Sequence, residues 1–308
     1  MKSRLRTMYM QWLAAALTVV MLPAHAHATH PNSAKTEGPG VRSSSALVLD
    51  EQSDEVLYSR QADVASPIAS ISKLMTALVV LEANQPMDEE LQITEDDLDY
   101  EKHTTSRLKV GTRLTRDDLL HLALMSSENR AAHTLARNYP GGIVECVRAM
   151  NFKARELGMM HTHFVEPTGL SRHNVASPED LSRLVMAAAK NNVIREYSTD
   201  EYLTLRIGRQ MMTFRNTDLL VRKSDWNIIV QKTGYIAEAG KCLVLNTIIE
   251  GRSVIIVLLD SVGKYTRIAD ARRIRKWMEA KLRTSMKLAD SSSALTRAQA
   301  GLTGFAAQ

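Results

Sequence analysis

The longest hydrophobic pattern in the body of the chain is PIASISKLMTALVVLEA, from Pro67 to Ala83. Four polar side chains interrupt the apolar residues before Leu81, namely Ser70, Ser72, Lys73 and Thr76. A helix that is apolar nearly all round is normally buried inside a domain. Ser66 and Pro67 are typical of an N-cap and a first helical position. We therefore predict a buried helix that begins at Pro67.

Other apolar runs predict strands near both ends of the chain. SALVLD and EVLYSR flank EQSD as a hairpin, and WNIIVQKTGYI, KCLVLNTIIEG and RSVIIVLLD predict three later strands. Helical patterns lie between them: Thr115 to Met125 with a Thr115/Asp118 capping box, RAAHTLARNY, Ile143 to Leu157, and Pro178 to Lys190 capped by Ser177. A last helix is predicted from about Arg267 to Leu282. This order predicts an α+β fold, with one antiparallel sheet built from both chain ends and an inserted helical lobe.

The N-terminus has the pattern of a secretory signal peptide. Lys2, Arg4 and Arg6 precede a short apolar run and then PAHAHA, so we predict a signal peptide over residues 1–26, with cleavage after 26 or 28. Residues 27–42 are expected to be a flexible leader, residues 43–283 a catalytic domain and residues 284–308 a disordered tail. The mature protein is expected to be soluble and periplasmic.

Net charge excludes one class of partner. The chain carries +5, and removal of the signal peptide, with three basic residues and no acidic one, leaves +2. The tail from Lys281 onward carries +3, which leaves the remaining body near −1, so no nucleic-acid-binding face is expected. That tail lacks a sustained apolar stripe opposite a basic face, so no stable membrane anchor is expected either.

Cysteines and histidines give no sign of a metal or cofactor. Cys146 and Cys242 lack metal or redox spacing, and two separately buried thiols are favoured over a disulfide. His161 and His163 stand two apart without a third ligand cluster or an HExxH motif. No cofactor and no metal are therefore predicted.

Ser-x-x-Lys occurs three times, at Ser70, Ser106 and Ser261. Only Ser70 lies at the start of a buried helix, where Lys73 shares its face and the positive helix end favours developing negative charge. Lysine is almost never fully buried without a partner or a task. The alternative is a Lys73 whose amine reaches the surface beside an unreactive serine.

Two further motifs follow downstream. SEN, Ser127 to Asn129, falls at a predicted helix break, and KTG, Lys232 to Gly234, lies in an apolar strand. Taken alone, the first would be a helix cap with a solvated Asn129, and the second a charged edge strand with a glycine bulge. Together with Ser70 and Lys73 they form the motif set of serine β-lactamases and penicillin-binding proteins.

From about Ser45 to Leu282 the chain resembles the low-molecular-weight penicillin-binding proteins, peptidase family S11, and especially their D-alanyl-D-alanine endopeptidase type. Further stretches carry this resemblance: FVEPTGLS, FRNTDLL, QKTGYIAEAGKCLV and GKYTRIADARRIRKW. It implies the DD-peptidase/β-lactamase-like fold and an acyl-enzyme on Ser70. Lys73, with a pKa lowered by burial and by Lys232, would be the base, and Ser127 would relay a proton. Substrate would be held by Asn129, Lys232, Thr233, Gly234 and the Tyr235 amide.

The resemblance implies peptidoglycan cross-links as substrate and β-lactams as inhibitors, with unknown wall-enzyme partners. Cleavage of D-Ala–diaminopimelate cross-links is favoured over removal of terminal D-alanine, because typical carboxypeptidases of this superfamily carry a second domain and a membrane-anchoring helix. A β-lactamase is disfavoured, because Gly169, Leu170 and Ser171 follow Glu166 where lactamases place a Leu-Asn pair. A non-catalytic penicillin-binding scaffold is disfavoured because all three motifs are intact.

Overall fold

The computed structural model describes residues 38–303, with side chains described from 38 to 284. The predicted signal peptide and the leader up to residue 37 lie outside the described residues. The predicted boundaries of the catalytic domain, 43 and 283, fall inside them.

A five-stranded antiparallel sheet forms the centre, in the order β2-β1-β11-β10-β9. Its strands are β1 Ser45–Asp50, β2 Glu55–Arg60, β9 Asn227–Ile236, β10 Gly240–Ile249 and β11 Arg252–Ser261. β1 pairs along its whole length with β11, from Ser45 opposite Leu259 to Asp50 opposite Val254. The prediction of an antiparallel sheet built from both chain ends is confirmed.

Both faces of the sheet are covered, which explains why β1, β10 and β11 are apolar runs and do not alternate with polar residues. Leu47, Leu49 and Val257 face the main core, which includes the helical lobe. Ala46 and Val48 face a second cluster against the C-terminal helix. Successive side chains of a strand point to opposite faces, so β1, β10 and β11 each contribute to both clusters.

The inserted lobe contains six helices: α1 Ser72–Glu82, α2 Arg116–Met125, α3 Asn129–Arg137, α4 Gly142–Glu156, α5 Pro178–Ala189 and α6 Asn192–Thr199. The predicted caps of α2 and α5 are confirmed, since Thr115 accepts from the Asp118 amide and Ser177 from the Asp180 amide. The C-terminal helix, α7, runs from Thr266 to Thr303.

Three two-stranded pairs complete the fold: β3 Ser66–Pro67 with β6 Val175–Ala176, β4 Glu90–Gln92 with β5 Arg113–Thr115, and β7 Tyr202–Ile207 with β8 Gln210–Arg215. The sequence patterns predicted neither α6 nor these pairs. The strands β3 to β6 are only two or three residues long, below the length at which period-2 alternation is informative. β7 and β8 have six residues each, so this reason does not apply to them.

Two predicted boundaries are wrong. Ser66 and Pro67 do not cap a helix, because they pair with Ala176 and Val175. A short 3₁₀ turn, Ala69–Ile71, follows, and α1 begins only at Ser72. At the other end, α7 continues past Leu282, so the predicted disorder of the tail is corrected over residues 284–303. No Gly or Pro stands between Thr266 and Ala300 to end the helix.

Candidate active site

Ser70 lies in the 3₁₀ turn that leads into α1, and it is half-buried. The residue before it, Ala69, is fully buried and has a φ of 49°. A non-glycine residue in this left-handed region costs of order 1 kcal/mol, and such strain is frequent at functional sites. The surrounding packing therefore holds the backbone at Ala69, directly before Ser70, in a conformation that the chain does not favour by itself.

Lys73 is buried, with 1% of its surface exposed, and its amine is surrounded by oxygen atoms. Nζ lies 3.0 Å from Ser70 Oγ, 2.7 Å from Asn129 Oδ1 and 2.6 Å from the Thr168 carbonyl oxygen. The alternative in which its amine reaches the surface is therefore wrong.

Burial lowers the pKa of Lys73 to about 8, although the carboxylates of Glu166 and Glu128 oppose this shift. Burial also lowers the pKa of Lys232 well below its ordinary value, and the charges of Lys73 and Arg267 lower it further. The expected direction at Lys73 is confirmed, but its main cause is loss of solvent and not repulsion by Lys232.

The predicted helix break lies between α2 and α3. Ser127 has a φ of 59°, so the chain reverses there and Asn129 starts α3 facing α1. The Asn129 side chain bridges two segments: Oδ1 accepts from Lys73, and Nδ2 donates to Thr104 Oγ1 over 3.1 Å. The sequence motif alone suggested a solvated Asn129, whereas in the structure Asn129 is a hydrogen-bond partner of Lys73.

β9 lies directly against the turn that contains Ser70. A Cβ atom on Gly234 would lie 2.8 Å from the Ile68 oxygen and 3.2 Å from the Ser70 nitrogen, so glycine is required for this approach. Lys232 and Thr233 are buried, whereas Tyr235 is 59% exposed. Lys232 Nζ donates to the Thr233 carbonyl over 2.9 Å. β9 is an edge strand, as the motif taken alone suggested, but its lysine faces inward.

Three residues near Lys232 were not singled out from the sequence. Thr217 Oγ1 lies 2.6 Å from Thr233 Oγ1, and its amide donates to the Met125 carbonyl at the end of α2. Asp218 is fully buried, with a pKa raised by burial to about 6. Arg267 and Lys232 both act electrostatically on this carboxylate. Asp218 and Arg267 stand within the quoted stretches FRNTDLL and GKYTRIADARRIRKW, but their residue types alone predict no contact.

Glu166 organises a loop. Its carboxylate accepts hydrogen bonds from the Thr168 and Gly169 amides, each over 2.6 Å, and from Asn174 Nδ2 over 3.0 Å. A Cβ on Gly169 would lie 1.9 Å from the Ala69 oxygen, so this loop also presses against the turn before Ser70. These contacts are consistent with the predicted loop role of Glu166.

The other sequence candidates lie elsewhere. Ser106 Oγ accepts from the Leu108 amide, and Ser261 Oγ contacts Ser43 Oγ in a buried network. Both cysteines are free and buried, as predicted, and burial raises the pKa of Cys146 to about 12 and that of Cys242 to about 11. Among residues with described side chains, no group of three or more His, Cys, Asp or Glu could hold a metal. No helix in the described part of the chain is long and apolar enough to cross a membrane.

The grouped residues can support nucleophilic chemistry. A neutral Lys73 amine has two N–H groups for Asn129 Oδ1 and the Thr168 carbonyl, and one lone pair for the Ser70 hydroxyl. A nucleophile within hydrogen-bond reach of a base that other groups orient is the usual arrangement in covalent catalysis. The charges of Lys232 and Arg267, with the two threonine hydroxyls of Thr217 and Thr233, are suited to an anionic substrate group.

Comparison with known proteins gives consistent results. The chain is 47% identical over 257 residues to a D-alanyl-D-alanine endopeptidase of Pseudomonas aeruginosa, covering 83% of each chain. It is 46% identical over 243 residues to that of Escherichia coli, covering 78% of each. The Streptomyces K15 DD-transpeptidase crystal structure matches with a TM-score of 0.73 and 29% identity, over 79% of this chain and 99% of that one. The family model for D-alanyl-D-alanine carboxypeptidase, peptidase family S11, matches residues 32–263, and the chain belongs to this family.

Proposed function

We propose that the chain is a serine D,D-endopeptidase that hydrolyses D-Ala–diaminopimelate cross-links of peptidoglycan through an acyl-enzyme on Ser70 and is inhibited by penicillin. One observation carries the proposal: a buried Lys73 amine with a lowered pKa lies 3.0 Å from Ser70 Oγ. The relatives from P. aeruginosa and E. coli, whose names are those of D-alanyl-D-alanine endopeptidases, support the choice of substrate.

Acylation needs a base that is neutral at working pH. Neutral Lys73 takes the proton of the Ser70 hydroxyl as Oγ attacks the D-Ala carbonyl carbon. Ser127 then relays a proton to the leaving amine as the amide bond breaks, leaving an ester on Ser70. A water molecule hydrolyses this ester, which restores the serine hydroxyl and releases the D-Ala carboxylate.

The remaining site residues hold substrate and its developing charge. Lys232 and Thr233 bind the carboxylate on the D-centre of the leaving residue, and we add Arg267 to this pocket because its charge acts on Lys232. The amides of Ser70 and Tyr235 form the oxyanion hole. Gly234 lets the substrate backbone lie along β9, and Asn129 contacts a substrate amide while it orients Lys73.

The biological setting follows from the expected export signal. We propose that the enzyme acts in the periplasm on the cell wall, with residues 43–283 as its catalytic domain. Its substrate partner is peptidoglycan, β-lactams are its inhibitors, and its protein partners are not assigned.

The proposed acyl-enzyme is tested by intact-protein mass after incubation with benzylpenicillin. The mass should rise by one drug molecule, and peptide mapping should locate it on Ser70. Ser70→Ala should remove the label, whereas the matched control Ser106→Ala should keep it. A label at Ser106 or Ser261, or one that persists in Ser70→Ala, contradicts the assignment.

The family's carboxypeptidase activity is the second candidate, because the family model is described by that activity. A direct competition separates the two: a dimeric cross-linked muropeptide and a monomeric pentapeptide are offered together, and products are followed by mass spectrometry. We expect the dimer to be split much faster. Rapid release of terminal D-alanine with the dimer left whole would assign the carboxypeptidase activity instead.

A further inference from the structure

A basic groove lies on α7, apart from the residues grouped around Ser70. It encloses about 540 Å³ and is called the α7 groove here. Its lining is Asp225, Trp226, Ala269, Arg272, Arg273, Arg275, Lys276 and Glu279. Four of these residues are basic and two are acidic, so the balance favours an anionic ligand.

The charged residues of the α7 groove differ in whether they form ion pairs within the protein. Arg275 contacts both acidic residues, with Asp225 Oδ2 at 3.2 Å and Glu279 Oε1 at 2.8 Å. Arg273 is paired with the buried Asp270. Both acids of the lining thus share one cation of the groove, and Glu279 also lies 3.6 Å from Arg283.

Arg272 and Lys276 are the available cations. Both are exposed, and neither has an ion-pair partner among the residues whose side chains are described. They stand four positions apart on α7, so they lie on one helix face, about 6 Å apart along the axis. Arg222 and Lys223 are also exposed, in the segment that leads to Trp226. A pair of free cations at this spacing can bind two carboxylates, or one carboxylate from both sides.

The groove lies on the helix that starts beside the carboxylate pocket. Arg267, in the first turn of α7, acts electrostatically on Lys232. Arg272 and Lys276 are about 7 and 13 Å further along the helix axis. A polymer with one peptide in the active site therefore has other groups within reach of the α7 groove.

We propose that the α7 groove is a second binding site for peptidoglycan, where Arg272 and Lys276 hold carboxylates of a stem peptide that is not being cleaved. This inference rests on the proposed function, since peptidoglycan is the substrate there. Its stem peptides carry repeated carboxylates, and guanidinium groups bind carboxylates in a bidentate fashion. Contact at two sites raises the effective concentration of the next cross-link near Ser70.

An anionic lipid surface is a weaker fit to the same charges. Interfacial binding needs an apolar face that enters the headgroup region. Trp226, the large apolar residue of the lining, is only 9% exposed, and the Arg275 guanidinium lies 5.4 Å from its ring centroid. The groove offers cations without an exposed apolar anchor.

Co-sedimentation of the purified exported protein with diaminopimelate-type sacculi tests the inference. Ser70→Ala is included in the binding samples so that the sacculi stay intact. The variant Arg272→Glu/Lys276→Glu should bind sacculi at least about tenfold more weakly at low salt, as expected when one of two linked contacts is lost. The matched control is Lys190→Glu/Arg195→Glu, which makes the same change in net charge at two exposed positions, the C-cap of α5 and a residue of α6.

Three results would overturn the inference: unchanged binding by the groove variant, an equal loss in the control variant, or binding to anionic phospholipid vesicles in preference to sacculi. Acylation by benzylpenicillin and cleavage of a soluble muropeptide dimer are measured in the Ser70-containing proteins. Failure of these two reactions in the wild type would count against the proposed function, whereas sacculus binding reports on the α7 groove itself.

Discussion

At the scale of single residues, the hydrogen bonds available to the Lys73 amine define the site. The Lys73 amine has three oxygen neighbours within 3.0 Å, from Ser70, Asn129 and Thr168. As an ammonium it donates to all three, and as an amine it can accept from the Ser70 hydroxyl. Loss of one proton from Lys73 therefore converts the resting arrangement into the one in which Lys73 can act as a base.

The pH dependence of acylation should report this proton. With the Lys73 pKa lowered to about 8, only a small fraction is neutral at neutral pH, and this fraction grows as pH rises. We expect the rate of acylation by benzylpenicillin to increase about tenfold from about pH 7 to about pH 9. Stopped-flow kinetics at a series of pH values measure this acylation rate. A rate independent of pH over this range would exclude Lys73 as the base.

Replacement of Lys73 by arginine provides a second test of the same residue. Arginine keeps the charge and cannot be deprotonated in a protein. Lys73→Arg should therefore abolish acylation at every pH while circular dichroism still shows a folded chain. Acylation at a wild-type rate would mean that Lys73 supplies only positive charge.

We expect Asp218 to act as a positioning residue for Lys232, which is proposed to bind the substrate carboxylate. Its carboxylate is fully buried, and its charge opposes the lowering of the Lys232 pKa. In Asp218→Asn this support is lost, so Lys232 should lose its proton at a lower pH. Substrate affinity, measured as KM for the muropeptide dimer, should then weaken more steeply on the alkaline side, with kcat less affected. A variant whose KM follows the wild-type pH profile would show that Asp218 only fills space.

At the scale of elements, the site depends on three segments meeting at one turn. The turn with Ser70 is contacted by β9 through Gly234 and by the Glu166 loop through Gly169. Neither glycine could carry a side chain without moving the backbone beside the nucleophile. The geometry of Ser70 is therefore set by its neighbours in space more than by α1.

A methyl group at Gly234 should separate β9 from this turn. Its Cβ would lie 2.8 Å from the Ile68 oxygen and 3.0 Å from Ala69 Cβ, both closer than normal contact. Gly234→Ala should reduce acylation by at least about tenfold, because misplacement by a fraction of an ångström at a reacting centre is costly. Gly208→Ala is the control, since a Cβ there meets no atom within 4 Å and the strain from its φ of 62° falls on the turn between β7 and β8. Equal acylation rates in the two variants would contradict this account.

The sequence predicts the elements that have a strong local signal. The hairpin of β1 and β2, the late strands and the caps at Thr115 and Ser177 depend on neighbours close in the chain, and each is confirmed. The start of α1 was predicted five residues too early, because Ser66 and Pro67 pair with Val175 and Ala176, which lie far away in sequence. Asp218 and Arg267 were not predicted as site residues for the same reason, because their roles depend on burial beside Lys232, which is distant from Arg267 in sequence.

At the scale of the whole molecule, a buried network joins the two ends of the described chain. Asp270 on α7 accepts from the amides of Arg42 and Ser43 and from Ser43 Oγ. Ser43 Oγ also lies 2.7 Å from Ser261 Oγ at the end of β11. This network fixes the start of β1 against the helix that carries the α7 groove.

Loss of this network should cost stability without altering the chemistry. Asp270→Ala leaves buried donors unsatisfied, so the free energy of unfolding should fall by about 2–4 kcal/mol. Acylation per folded molecule should stay near the wild-type rate. Urea unfolding, followed by tryptophan fluorescence, and penicillin titration measure the two quantities. An unchanged unfolding midpoint would mean that other contacts alone hold the chain ends together.

The position of β1 between β2 and β11 affects when the sheet can form during synthesis. A chain emerges from the ribosome with β1 first, yet the partner that completes β1 arrives more than two hundred residues later. Contacts so distant in sequence form slowly, because a long loop must close before any pairing is gained. Ser70 and Lys232 therefore cannot be assembled before β9 and β11 have been synthesised, and until then the chain has no working nucleophile.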